Sequence, residues 1–211
     1  MENLIPYIPE PTLRRLPWYL ACVSRLKAHG VERVSSTAIS RELNVDASQI
    51  AKDLSYLNIR GKTRIGYEVD RLEQVLFDFL GFGRSHNAVM MGVGSLGAAL
   101  IADSGLRRFG LNIVGGFDVA PQLVGTTIGE IPIFDLSELQ QRREELNAEI
   151  AVIAVPVESA AEVADRCVKA GFKALWNFTP FRICTSPEIV VTNTSIYAHL
   201  AVMYNRLAAT K

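Results

Sequence analysis

Gly92-Val93-Gly94-Ser95-Leu96-Gly97 decides how the C-terminal half of this 211-residue chain folds. The hexapeptide fits G-x-G-x-x-G, follows an apolar run at 88–91 that reads as a strand, and opens a helix at Ser95. Gly92 permits the tight turn, Gly94 lets a pyrophosphate approach the backbone, and Gly97 lets helix and strand pack closely. The helix N-terminus supplies amide donors to the phosphates. Asp118 stands 21 residues beyond Gly97, inside Gly115-Gly116-Phe117-Asp118 at the end of the next strand. A carboxylate there accepts both hydrogen bonds of an adenosine ribose and repels a 2′-phosphate, which favours NAD and NADH as cofactors over NADP(H). Glycines that merely shape a turn are the bland alternative, and the strand before, the helix after and the terminal acid weigh against it.

Outward from this stretch, short apolar runs alternate with helical patterns. Strands are expected at 88–91, 112–117, 131–134, 150–155, 174–176 and 189–191, with helices from Ser95, over 136–144 and over 159–170. This alternation implies a parallel sheet covered on both faces. Val155 and Pro156 at the end of one strand, and Asn177, Phe178, Thr179 and Pro180 at the end of another, fall on the ligand-binding edge of such a sheet. Either segment could equally be a strand-terminating turn. About 100 residues complete a Rossmann domain, leaving none for a separate substrate domain.

Upstream, Thr12 is expected to cap a helix to residue 28, with Leu13, Leu16, Leu20, Val23 and Leu26 on one side. Pro17 kinks that helix or marks its effective start. Ser36 caps a short second helix. Asp46, with Gln49 at N3, forms a capping box for a third helix that buries Ile50, Leu54 and Leu57. The segment 59–69 reads as a hairpin with a basic tip, and Asp70 with Glu73 caps a fourth helix. Three helices and a basic hairpin make the order of a winged helix-turn-helix. Outward on the third helix are Ser48, Gln49, Lys52, Ser55 and Tyr56. Gln49 and Lys52 are suited to base edges, and the others to phosphates. Arg60, Lys62 and Arg64 place the wing against the backbone or minor groove.

The formal net charge of zero hides an asymmetry, because residues 14–64 carry ten basic against four acidic side chains. The 49% hydrophobic and 21% charged content is that of a folded, soluble protein. No apolar run is long enough to span a membrane. Met1-Glu2-Asn3-Leu4 lacks the basic region and apolar run of a signal peptide. Cys22, Cys167 and Cys184 are too scattered for a disulfide framework or metal cluster, which points to a reducing cytoplasmic setting and to no metal. His29, His86 and His199 form no pair with an acid at motif spacing, so no catalytic residue is assigned and the chain is not expected to be an enzyme.

These motifs resemble the bacterial redox-sensing repressor family called Rex. The resemblance rests on Lys52-Asp53-Leu54-Ser55-Tyr56, Gly66-Tyr67, the glycine hexapeptide with Phe117-Asp118, Ala154-Val155-Pro156, and Leu175-Trp176-Asn177-Phe178-Thr179-Pro180. It implies a homodimer that binds double-stranded operator DNA and is released by NADH. It marks Lys52 and its neighbours as DNA contacts, Gly92, Gly94, Gly97 and Asp118 as cofactor contacts, and Pro156 with 177–180 as lying near the nicotinamide. The implied architecture is an α/β Rossmann domain at 84–193, preceded by an α+β winged helix-turn-helix domain at 1–83. A C-terminal helix at 194–211 is exchanged in the dimer. That helix carries Ile196, Leu200, Met203, Tyr204 and Leu207, which need a surface to bury them, either the partner's or its own domain's.

Three sites depart from the family pattern. Ala51 stands where many relatives have Arg, and Gly61-Lys62-Thr63-Arg64-Ile65-Gly66-Tyr67 shifts the wing arginine by one position. Ala21 and Ser195 replace an Arg and Asp that relatives often pair. From the residues alone, three other readings stay open: a small NAD-dependent oxidoreductase, a CoA-binding module, and a constitutive DNA-binding or scaffold protein.

Overall fold

The computed structural model describes residues 8–62 and 64–209. Met1-Glu2-Asn3-Leu4, read above for a leader, and Thr63 of the basic turn lie outside the described residues. The chain divides into two compact units between Arg84 and Ser85, where the sequence placed the boundary one residue earlier.

The first unit comprises α1 (Glu10–Ala28), β1 (Arg33–Val34), α2 (Ser36–Leu43), α3 (Ala47–Ser55), β2 (Tyr67–Glu68) and α4 (Val69–Phe79). Its core is formed by Leu16, Tyr19, Leu20 and Val23 of α1, packed with Ile39, Ile50, Leu54, Leu57, Leu72 and Leu76. Several expected caps move. Thr12 lies inside α1, which starts one turn earlier after Pro9, and Leu13 is exposed while Tyr19 takes the buried place. Ser35, not Ser36, caps α2 through the amide of Ala38. Asp46 caps α3 as expected, accepting from Ser48 N at 2.7 Å and Gln49 N at 3.2 Å. Gln49 does not close the box, because its side chain turns the other way. Glu68 precedes α4 without a side-chain cap, and Glu73 instead accepts from Ser24 and Lys27. The expected hairpin reduces to one bridge, Lys62 to Gly66. The chain then returns as β2, which pairs antiparallel with β1.

The second unit contains β3 (His86–Met91), α5 (Ser95–Ala102), α6 (Ser104–Arg108), β4 (Leu111–Asp118), β5 (Thr127–Ile128) and β6 (Ile131–Asp135). It continues through α7 (Leu139–Glu145), β7 (Ile150–Ile153), α8 (Ala160–Lys169), β8 (Ala174–Asn177), β9 (Val190–Asn193) and α9 (Ile196–Ala209). The sheet runs β5-β6-β4-β3-β7-β8-β9. All neighbours pair in parallel except the short edge strand β5, so the sheet is not wholly parallel as the alternation had suggested. Without β5 the order is the doubly wound 3-2-1-4-5-6, whose reversal beside the first strand opens a crevice at the carboxyl ends. The helix α6 and the edge strand were not expected, being too short to carry a periodic signal. Val89, Met91, Phe117, Ile153, Val163 and Phe172 build the core on one face of the sheet, and Met90, Ile113, Ile133 and Val152 on the other. Burial pushes the Cys167 thiol up to about 12, so it stays protonated at neutral pH. No helix among the described residues is long and apolar enough to cross a membrane.

The first unit buries one carboxylate completely. Asp53 of α3 has no exposed surface and binds Arg15 of α1 through two hydrogen bonds, Nε to Oδ2 at 2.7 Å and Nη2 to Oδ1 at 2.8 Å. Tyr19 Oη donates to Oδ2 at 2.7 Å, while Thr12 Oγ1 and Gln49 Nε2 donate to Oδ1 at 2.9 and 2.8 Å. Burial alone pushes this carboxyl up, but the donors, led by Arg15, outweigh it and hold Asp53 below the usual carboxylate range. The arrangement fastens α3 to α1 at a fixed rotation.

Removing one partner of a buried, hydrogen-bonded charge strands the others, at a cost of about 3 kcal/mol or more. Asp53→Ala is therefore expected to lower the stability of the first unit by about that amount in urea unfolding followed by far-ultraviolet circular dichroism. The folded carboxyl titrates below its unfolded value of about 4. Its contribution is thus complete well above that pH and drains away as the pH falls through the folded value. The stability gap between wild type and Asp53→Asn should be widest near neutrality and narrow below about pH 4.

Candidate functional site

In the second unit the glycine loop connects β3 to α5 across the carboxyl edge of the sheet. Two of its glycines are required by the protein's own backbone. Gly92 has φ +84° and a Cβ there would lie 2.8 Å from Ala154 O, while a Cβ on Gly97 would lie 2.0 Å from Gly92 O. Gly94 is different, because a Cβ there would meet nothing within 4 Å. The fold does not need glycine at 94, so the open space above it is the feature that suits an approaching pyrophosphate. Gly94 caps α5 with no side-chain hydrogen bond, leaving the first-turn amides without a side-chain acceptor.

Asp118 ends β4 beside this loop. Its Oδ2 accepts from Val93 N at 2.9 Å, and its Oδ1 accepts from Val119 N and Ala120 N at 2.8 and 2.9 Å. These backbone donors fix the carboxylate while spare lone pairs remain for a diol. Gly92, Gly94 and Asp118 line a cavity of about 530 Å³ together with Val155 and Pro156. The volume is that of a small-molecule site, and glycine turn, free helix amides, anchored carboxylate and apolar wall together fit an adenine dinucleotide.

The other expected cofactor residues are placed differently. Val93 is buried and Gly97 packs inside the turn, while Ser95 and Leu96 are exposed on the first turn of α5. Asn177, Phe178, Thr179 and Pro180 do not line the cavity. The Asn177 amide is consumed by the fold, donating to Phe181 O and Asn193 Oδ1 and accepting from Thr179 N. Phe178 packs on Trp176 with centroids 4.7 Å apart. Sequence reasoning missed Asp135, Ser137, Glu162 and Arg166, which also line the cavity. The signal for Asp135 was present, since it ends a strand next to the one that ends in Asp118.

In the first unit, ion pairing sorts the basic side chains. Arg14, Arg15, Arg25, Lys27 and Arg33 pair with Glu10, Asp53, Glu42, Glu73 and Glu68 respectively. Among the described residues of this unit Arg41, Lys52, Arg60, Lys62, Arg64, Arg71 and Arg84 are in none of these ion pairs, and the first five lie on α2, on α3 or in the turn after it, with Arg71 on α4 and Arg84 at the end of the unit. Lys52 is exposed, as are Ser48 and Ser55. Ser48 Oγ donates to Asp46 at 2.5 Å and Ser55 Oγ to Lys52 O at 2.6 Å. Tyr56 is half-buried at the C-cap of α3. Gln49, expected at base edges, is held by Asp53. Arg64 sits at φ +64° at the tip of the turn, and Arg41 is a further exposed cation that sequence reasoning did not single out.

Comparison with known proteins agrees with this division. Residues 7–55 match the family model described as "Putative DNA-binding protein N-terminus", and residues 84–181 match the model described as "CoA binding domain". The redox-sensing transcriptional repressor Rex of Bacteroides fragilis is 61% identical over 200 residues, covering 95% of this chain and 91% of the relative. Redox-sensing transcriptional repressor Rex 1 of Thermotoga maritima is 40% identical over 197 residues, covering 93% and 94%. A crystal structure of RSP in complex with beta-NAD+ and operator DNA superposes with a TM-score of 0.92 at 30% identity, covering 97% of this chain and 94% of that one. RSP is a Rex-family repressor, and its complex with beta-NADH superposes at 0.87, covering 96% and 95%. With identity this high over nearly its whole length, the chain belongs to the Rex family of redox-sensing transcriptional repressors.

Proposed function

We propose that this chain works as a cytoplasmic homodimer that holds an inverted-repeat promoter sequence when its Rossmann units carry NAD and releases it when they carry NADH. The observation that carries this reading is Gly94, whose missing side chain serves no packing purpose, beside the anchored carboxylate of Asp118. The crystallised complexes of RSP with beta-NAD+ and operator DNA, and with beta-NADH, support it. Membership of a family of transcriptional repressors sets aside the oxidoreductase and the CoA module as functions of this chain.

On the DNA side, Lys52 is the residue for base edges, with Ser48, Ser55 and Tyr56 for phosphates and Arg60, Lys62 and Arg64 for the backbone or minor groove. Gln49 becomes a positioning residue, since its amide is held by Asp53. On the cofactor side, Gly92 to Gly97 receive the pyrophosphate and Asp118 the adenosine ribose. Val155 and Pro156 extend from the cavity toward the nicotinamide. Asn177 to Pro180 shape that end through the backbone rather than through the Asn177 amide.

The dimer is supported by α9. Ile196, Tyr197, Val202, Met203, Tyr204 and Leu207 are all exposed, and no residue of the helix is buried. So much apolar surface on one helix calls for a partner, and an exchanged helix supplies it. Two half-sites on one face of DNA demand a fixed separation of the recognition helices. NADH acts by binding preferentially the dimer form that breaks this spacing, since equal affinity for both forms would shift nothing.

Fluorescence anisotropy of a labelled palindromic promoter duplex at fixed salt tests this directly. NADH should weaken specific binding at least tenfold relative to NAD, and equal binding with the two cofactors would defeat the sensor reading. Gly94→Ala should fold like wild type, because its Cβ meets no atom, yet lose dinucleotide binding and the NADH response. Gly97→Ala should disrupt the Rossmann unit itself. Replacing Tyr197 and Met203 together by glutamate should shift the dimer to monomer in sedimentation velocity and reduce operator affinity in parallel.

A further inference from the structure

We infer that Asp135 reads the 6-amino group of adenine, so that this site selects adenine dinucleotides against those with a 6-oxo purine. The inference rests on the dinucleotide reading above and adds a specificity-determining residue to it.

Asp118 and Asp135 are register partners at the ends of the adjacent parallel strands β4 and β6, one strand spacing of about 4.8 Å apart. Both line the cavity that contains Gly92 and Gly94. A ribose on Asp118 therefore directs its base toward β6. The surface awaiting the base is apolar, with Leu123, Leu136, Val155 and Val163 among its lining residues. That suits the faces of a flat ring, and the acceptor Asp135 stands at its margin.

The Asp135 carboxylate is set up to accept from a ligand. Ser137 donates twice to Oδ1, from its amide at 2.8 Å and its hydroxyl at 2.6 Å. Oδ2 accepts no hydrogen bond among the described residues. The same two donors hold the acid below the usual carboxylate range, so it is ionised and acceptor-only at neutral pH. The rim charges nearby do not compete, since Arg166 of α8 is paired with Glu162 at 2.8 Å. A free, anchored, anionic acceptor beside an apolar slot complements an amino edge. It opposes a carbonyl edge, which would bring lone pair against lone pair.

The test compares binding of NADH with that of reduced nicotinamide hypoxanthine dinucleotide, which carries oxygen in place of the 6-amino group, by isothermal titration on the full-length protein. Wild type should prefer NADH by about tenfold or more, as expected for one hydrogen bond to a charged acceptor. Asp135→Asn, whose amide can turn to donate, should flatten or reverse that preference while binding the 6-oxo analogue better than wild type does. Equal wild-type affinities for the two compounds, or an unchanged preference in Asp135→Asn, would overturn the assignment. The wild-type comparison stands even if the variant, which loses a charged cap of the turn at 136–138, folds poorly. Failure of wild type to bind either compound would instead bring down the dinucleotide reading, and this inference with it.

Discussion

The approach of Gly97 to the carbonyl of Gly92 governs the second unit. A Cβ at 97 would sit 2.0 Å from that oxygen, so the chain can leave β3 and enter α5 this tightly only because the position is bare. The tight turn brings Val93 N onto Asp118, which joins the first strand to the end of the second and fixes the carboxylate at the lip of the cavity. Fold and site are consequently made by the same few atoms. Gly94 alone among the three motif glycines is free of packing demands, and it separates what the fold needs from what a ligand needs.

A comparable economy operates in the first unit. Ionised Asp53 is buried at the cost of its hydration, and five donor bonds from Thr12, Arg15, Tyr19 and Gln49 offset that cost. Since α3 carries Lys52 on its outer side and Asp53 on its inner side, anchoring the latter orients the former. The same pairing removes Arg15 from the basic surface. Surface ion pairs elsewhere remove Arg14, Arg25, Lys27 and Arg33, which leaves five of the seven remaining cations of this unit on α2, α3 and the turn that follows, and the other two at Arg71 and Arg84. Each exposed pair adds little stability, but together they shape the field.

Periodicity and glycine spacing made the doubly wound sheet, the glycine loop, Asp118 and the third helix legible in the sequence. The failures share a physical cause. Thr12 and Glu73 were read as local caps because their spacings suit local hydrogen bonds, yet they are taken by partners 41 and 46 to 49 residues away, and Gln49 turns from the cap to Asp53, four residues on, whose other donors come from the distant α1. Asn177 was read as a ligand contact, and only the fold reveals that it is spent on Phe181 and Asn193. Asp135 went unnoticed because its meaning comes from the register between β4 and β6, which a single strand does not display. Ser195 shows a subtler case. It accepts from Ala198 N at 3.2 Å and so retains the capping role that an aspartate at this place would have, without the charge.

In the sensor proposed above, the size of the coupling between cofactor and operator is the central quantity. Linkage makes that size measurable from either end, since the factor by which NADH weakens operator binding must equal the factor by which operator weakens NADH binding. The decisive measurement is therefore the NADH affinity of the protein, alone and saturated with operator duplex at one salt concentration. The account predicts that operator lowers the affinity for NADH about tenfold or more, by the same factor found in the DNA titration. An NADH affinity indifferent to the operator would contradict it.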